Sequence, residues 1–206
     1  MQEERFSEQE SLQLIESMIN RAKNHFSEDG HLYLLWGWVI LICSVAQFLL
    51  QHVFHYAWHY AVWWLTWLTV IYQYVYLKRK IKRRKVKTYT EDILSVVWLA
   101  FIVTITLFAA VIGNIFLARG QNFYVFINPI LLVSYGVPTF ITGFVLKFKP
   151  LWIGGIGCWV LSIAASLLPA DFQVLMLALA MIIAWIIPGY LLNVRNKKLI
   201  SSGHGL

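Results

Sequence analysis

Three histidines, His52, His55 and His59, recur at spacings of three and four residues. On one continuous helix they would share a face, an arrangement that suits metal or haem ligation. No cysteine lies near them in sequence, although Asp171 could approach from another loop. The competing reading is a set of interfacial rings. Tyr56, Trp58 and Tyr60 alternate with these histidines, and amphipathic rings gather at membrane surfaces.

A second candidate is the run FYVFINPILLVSYGVPTFITGFVL, residues 123–146. Asn128, Tyr135, Thr139 and Thr142 fall on one helical face, and Ser134 joins the same polar set. Pro129 and Pro138 each delete a backbone donor, which frees the carbonyls of Val125 and Ser134, and Gly136 loosens the turn between them. These residues predict a kinked helix. Its polar stripe could line a solute path, or it could bond to neighbouring helices in a packed bundle.

The third feature is electrostatic. Lys78, Arg79, Lys80, Lys82, Arg83, Arg84, Lys85 and Lys87 place eight positive charges in ten positions, KRKIKRRKVK. They directly follow an apolar run, as in a juxtamembrane loop that orients a membrane protein and meets anionic lipid headgroups. The net charge of +7 therefore does not point to nucleic acid.

The elements that must position these groups are legible from composition. Hydrophobic residues make up 59% of the chain and charged residues 13%, and the mean hydropathy is +0.64. A bilayer can host that much apolar surface, whereas a soluble fold of this size cannot hide it. Six apolar runs, at 32–53, 57–77, 93–117, 123–146, 151–168 and 172–192, predict six membrane-spanning helices, the fifth the shortest. If Lys78–Lys87 is cytoplasmic, sixteen of the seventeen Lys and Arg residues fall on that side and only Arg119 falls outside. The expectation is an all-α, multi-pass protein of the cell membrane. It comprises a cytoplasmic segment (1–30), a six-span bundle (31–193) and a cytoplasmic tail (194–206).

Residues 1–30 are acidic. Ser7 and Glu10 fit a capping box, and Leu12, Ile15, Ile19, Ala22 and Phe26 form one apolar stripe. The polar face lacks the Lys and Arg of a lipid-binding helix, so the stripe reads as a contact surface for a cytoplasmic protein or for the basic loop. In the fifth run, Gly154, Gly155, Gly157, Cys158, Ser162, Ala165 and Ser166 permit close helix approach, either within the chain or in a homodimer.

The interiors of the six runs hold no Asp, Glu, Lys, Arg or His. Proton relays and voltage sensors keep such groups at membrane depth, and intramembrane proteolysis needs an Asp pair or a zinc motif. Proton-driven transport and intramembrane proteolysis therefore lose support, a non-enzymatic role is favoured over an enzyme, and no cofactor is predicted. The segments LIESMINRAKNHF, HLYLLWGWVI, KPLWIGGIGCWVLS and AWIIPGYLLN resemble small bacterial polytopic membrane proteins with no assigned function. That resemblance implies an integral membrane protein with a helical amino-terminal extension. The leading functional expectation is a non-enzymatic interaction or regulatory component. The alternatives are a small-solute transporter or channel using the fourth run, and a metal- or haem-linked protein using the histidines.

Overall fold

The structure is a computed structural model that describes residues 30–83, 89–119 and 123–202. Among these residues it is helical, with no strand. Helix α1 (His31–His52) is followed by a turn and a 3-10 stretch (His59–Trp63), then α2 (Trp64–Arg83), α3 (Tyr89–Arg119), α4 (Tyr124–Val145) and α5 (Lys149–Ser166). The last rod joins α6 (Ala170–Met181), a π turn (Ile182–Ile186) and α7 (Ile187–Ser202) without a break. The expected helix carrying Leu12, Ile15, Ile19, Ala22 and Phe26 lies outside the described residues, as do Arg84, Lys85 and Lys87.

Four of the rods are long and apolar enough to cross a membrane: α1, Thr90–Ala118 of α3, Val125–Val145 of α4, and Ala170–Lys198. The second run is shorter as a regular helix than its sequence suggested, whereas the fifth keeps the short length read from its sequence. In the second, His55 adopts a left-handed backbone (φ 47°) and the chain turns there, so residues 59–63 wind as 3-10. Two contacts hold this tighter winding against α1: Trp63 Nε1 donates to Gln47 Oε1 at 2.6 Å, and Cys43 Sγ donates to the Val62 carbonyl at 3.4 Å. The regular helix starts only at Trp64, and its apolar part ends at Leu77, a rise of about 21 Å. In the fifth, Pro150 sits in the first turn of α5, where its missing donor costs nothing, and the helix is 18 residues long.

Small residues set how the rods approach. α1 lies antiparallel to the last rod. Gln51 Nε2 donates to Asp171 Oδ1 at one end, and Gly37 faces Trp185 and Ile186 further along. α4 and α5 form the closest hairpin. A methyl group on Gly155 would come within 2.7 Å of Phe140 Cβ and 2.9 Å of the Gly136 carbonyl. On the other flank of α5, a methyl on Gly154 would meet Ala184 Cα at 2.6 Å. The core between these rods contains Ile40, Leu132, Leu151, Leu177 and Met181, all fully buried. α3 stands apart. Leu94 is its buried residue, and from Ser95 to Ala118 every described side chain keeps some exposure.

Candidate functional site

The polar stripe of α4 meets the π turn of the last rod. Pro188 cannot donate to the carbonyl four residues back, at Ala184, and a one-residue widening of the helix absorbs that defect. The widened turn is closed by the Ile187 N–H donating to the Ile182 carbonyl, five residues back. It presents Trp185 to the core, where Trp185 Nε1 donates to Thr139 Oγ1 at 2.9 Å. Thr139 Oγ1 in turn donates to the Tyr135 carbonyl at 2.8 Å. The indole also lies edge-on to Tyr135, at 5.2 Å between ring centres, and edge-on to Trp98 and Tyr33 at 6.0 and 6.4 Å. Edge-to-face rings at such distances stabilise beyond their buried area. Five elements therefore converge on one aromatic and hydroxyl cluster: α1, α3, α4, the π turn and, through Gly154, α5.

This cluster accounts for most of the stripe. Thr139 and Thr142 are completely buried, and Thr142 Oγ1 donates to the Pro138 carbonyl at 2.6 Å. Tyr135 is half-buried between Phe101 and Trp185. Asn128 and Ser134 are half-buried as well. Pro129, Gly136 and Pro138 are buried, and α4 continues as one helix through all three. Other donors come from α5. Ser162 Oγ reaches the Pro129 carbonyl at 2.7 Å, and Trp159 Nε1 reaches the Val133 carbonyl at 3.3 Å. Hydroxyls, indoles and one phenol can fix a helix packing and satisfy backbone carbonyls in an apolar setting. The cluster contains no group poised for acid–base or nucleophilic chemistry.

The small stripe of α5 is used inside the chain. Gly155 and Ser162 pack on α4, Gly154 packs on the π turn, and Cys158 and Ala165 are fully buried. Gly157 keeps some exposure and Ser166 is exposed, so the covered part of the stripe is Gly154, Gly155, Cys158, Ser162 and Ala165.

The three histidines do not converge. His52 stacks on Phe48 at 5.1 Å and lies edge-on to Phe172, His55 occupies the turn, and the His59 ring lies tilted against Tyr60 at 3.7 Å. Among the described residues no three His, Cys, Asp or Glu side chains form a group able to hold a metal ion. The shared face that metal ligation by His52, His55 and His59 would use is not formed. It required one continuous helix, and the turn at residues 53–58 breaks that helix. Asp171, the candidate fourth ligand, bonds Gln51 instead.

The remaining concentration of polar groups is at the other end of the bundle. His31, in the first turn of α1, has its Nε2 3.1 Å from Tyr72 Oη, and its ring lies 4.9 Å from that of Tyr76. The basic end of α2 follows at once, with Lys78 over the Tyr74 ring at 4.5 Å and Lys78, Arg79 and Lys82 exposed. Arg195 of α7 lies over Phe148, at 5.6 Å, which brings the α4–α5 turn with Lys147 and Lys149 to the same end.

Sequence reasoning singled out Tyr135 and Thr139 but missed Trp185, Trp98 and Tyr33. The available signal was Pro188, three residues beyond Trp185: a proline inside an apolar run displaces the helix before it. No family model matches the chain, and neither a curated protein nor a solved structure is similar to it.

Proposed function

We propose that this chain is a non-enzymatic integral membrane protein whose six helical rods all cross the bilayer, with both ends in the cytoplasm. There its amino-terminal segment, residues 1–30, engages a protein partner. The observation that carries this reading is the division of labour in the bundle. On α4, the residues best suited to lining a path include Thr139 and Tyr135, which contact Trp185 and Phe101, and Thr142, which bonds the Pro138 carbonyl, while Ser162 and Trp159 bond the Pro129 and Val133 carbonyls. Exposed charge gathers instead at one end, where α1 begins. A packed membrane domain with a charged end suits an interaction component better than a conduit. The six-rod count is supported by the side-by-side placement of the α2 end, the α4–α5 turn and α7, since basic segments stay cytoplasmic.

Two measurements test the proposal on the full chain. A cysteine replacing Gln121 should react with an impermeant reagent in intact cells, and one replacing Arg83 only after permeabilisation. Labelling of both from outside refutes the topology. In a gentle-detergent pull-down, the double substitution Ile15→Asp and Ile19→Asp should lose a specific protein without losing membrane insertion. An unchanged set of co-purifying proteins refutes the contact role.

A further inference from the structure

The chain is electrically divided. Residues 1–29 contain seven of its ten carboxylates and three of its seventeen Lys and Arg residues, a net charge of −4. The rest of the chain carries fourteen basic residues against three acidic ones, a net charge of +11. The junction between these parts has a defined position. Gly30 takes a left-handed backbone (φ 66°) against α7, so close that a methyl group there would clash with the Gly189 carbonyl oxygen and touch the Asn193 N. His31, the next residue, reaches Tyr72 and Tyr76 of α2. Lys80 lies one turn beyond Tyr76, and Arg195 lies two residues beyond Asn193. The acidic segment therefore joins the bundle between its two basic rod ends, with Glu28 and Asp29 adjacent in sequence to the junction.

We infer that the basic end of the bundle is the docking surface for residues 1–29 of the same chain. The surface comprises Lys78, Arg79 and Lys82 of α2 and Arg195 and Lys197 of α7, all exposed. Opposite charge selects the occupant. The covalent link at Gly30 gives it an effective concentration on the millimolar scale expected of a short tether, which a free acidic protein would not match. Anionic lipid headgroups compete for the same cations, so lipid composition sets how much of the segment is released. This inference deepens the proposed contact role of residues 1–30 by naming where the segment rests when no partner holds it.

Spin-label distances in the full chain test it. One label replaces Gln9 and one replaces Val194, an exposed position on α7, in nanodiscs of phosphatidylcholine holding one copy each. Docking predicts a narrow distance distribution that broadens in 0.5 M salt and in the variant E8K/E10K/E16K. Adding K78E, R79E and K82E to that variant should narrow it again. A second pair, replacing the exposed Leu49 of α1 and Ile187 of α7, must stay constant, so that misfolding is not mistaken for release. A distribution that is broad throughout, or is indifferent to salt and charge reversal, overturns docking. So does ordering that appears only when phosphatidylglycerol is included, which would assign the surface to lipid. Partner capture in the pull-down is read separately, so its failure and the failure of docking are distinct results.

Discussion

The glycines of α5 and α3 allow a graded test of how tightly the bundle is packed. A β-carbon at Gly155 would lie 2.7 Å from Phe140 Cβ, 2.8 Å from the Phe140 backbone nitrogen and 2.9 Å from the Gly136 carbonyl. Two of these atoms are backbone, so α4 and α5 must separate to admit a methyl group. At Gly157, two residues along the same helix, the nearest atom is Ile183 Cγ2 at 3.4 Å, an ordinary contact at a flexible methyl. At Gly113 of α3 nothing lies within 4 Å. In water a helical Gly→Ala change gains about 0.5–1 kcal/mol from reduced backbone freedom. In a bilayer the dissociated helices remain helical, because their backbone groups have no water to bond, so most of that gain cancels. The steric term then decides the sign. Overpacking by one methylene-sized group costs about 1–3 kcal/mol. Gly155→Ala should therefore destabilise the bundle by about that much, while Gly157→Ala and Gly113→Ala should each stay within about 0.5 kcal/mol of the parent. The assay is reversible unfolding in mixed micelles of rising dodecyl sulfate fraction, followed by tryptophan emission, with Trp159 beside the perturbed contact. Equal stability of all three variants would refute the close α4–α5 approach and the argument built on it.

Two further outcomes follow from the cluster and the turn. In a double-mutant cycle of Trp185→Phe and Thr139→Val, the coupling should be about 0.6 kcal/mol, the usual size of an interhelical hydrogen bond within a membrane protein; zero coupling would mean that the 2.9 Å contact contributes nothing. Chelation with EDTA, or addition of zinc, should leave the unfolding midpoint unchanged, since His52 and His59 contact different rings and His55 lies in the turn between them; a midpoint raised by zinc and lost on replacing the three histidines would restore a metal site.

Periodicity and hydropathy made the helical class and the positions of the rods readable, because an apolar run in lipid has few other ways to satisfy its backbone. The ends were less readable. The second run, AWHYAVWWLTW onward, has the composition of a span, but the turn at His55 and the bond from Trp63 to Gln47 convert its first part to 3-10. Both depend on α1, a partner that a local reading of the run does not include. In the candidate site, Tyr135 and Thr139 were visible as polar residues in an apolar run. Trp185 was not, because an indole in an apolar helix is unremarkable until the π turn aims its N–H at a hydroxyl. The histidine spacing misled for the opposite reason. Spacing implies a shared face only while the helix persists, and the backbone at His55 ends it.

The isolation of α3 has a consequence for the lipid around the molecule. Its apolar run, residues 93–117 of the helix Tyr89–Arg119, is about 38 Å long at about 1.5 Å per residue, against a hydrocarbon thickness of about 30 Å. The 18 residues of α5 reach only about 27 Å. A bundle built from both presents unequal hydrophobic heights around its perimeter. The packing of α3 is concentrated toward its first half, where Leu94 is buried, Trp98 meets Tyr33 and Trp185, and Phe101 meets Tyr135, so the rest of the long helix has room to tilt in a membrane. Thicker bilayers would draw α3 upright and thinner ones would lean it away from the core. A change in the angle of this one helix would bear first on the rings of Trp98, Tyr33 and Trp185, which lie against one another.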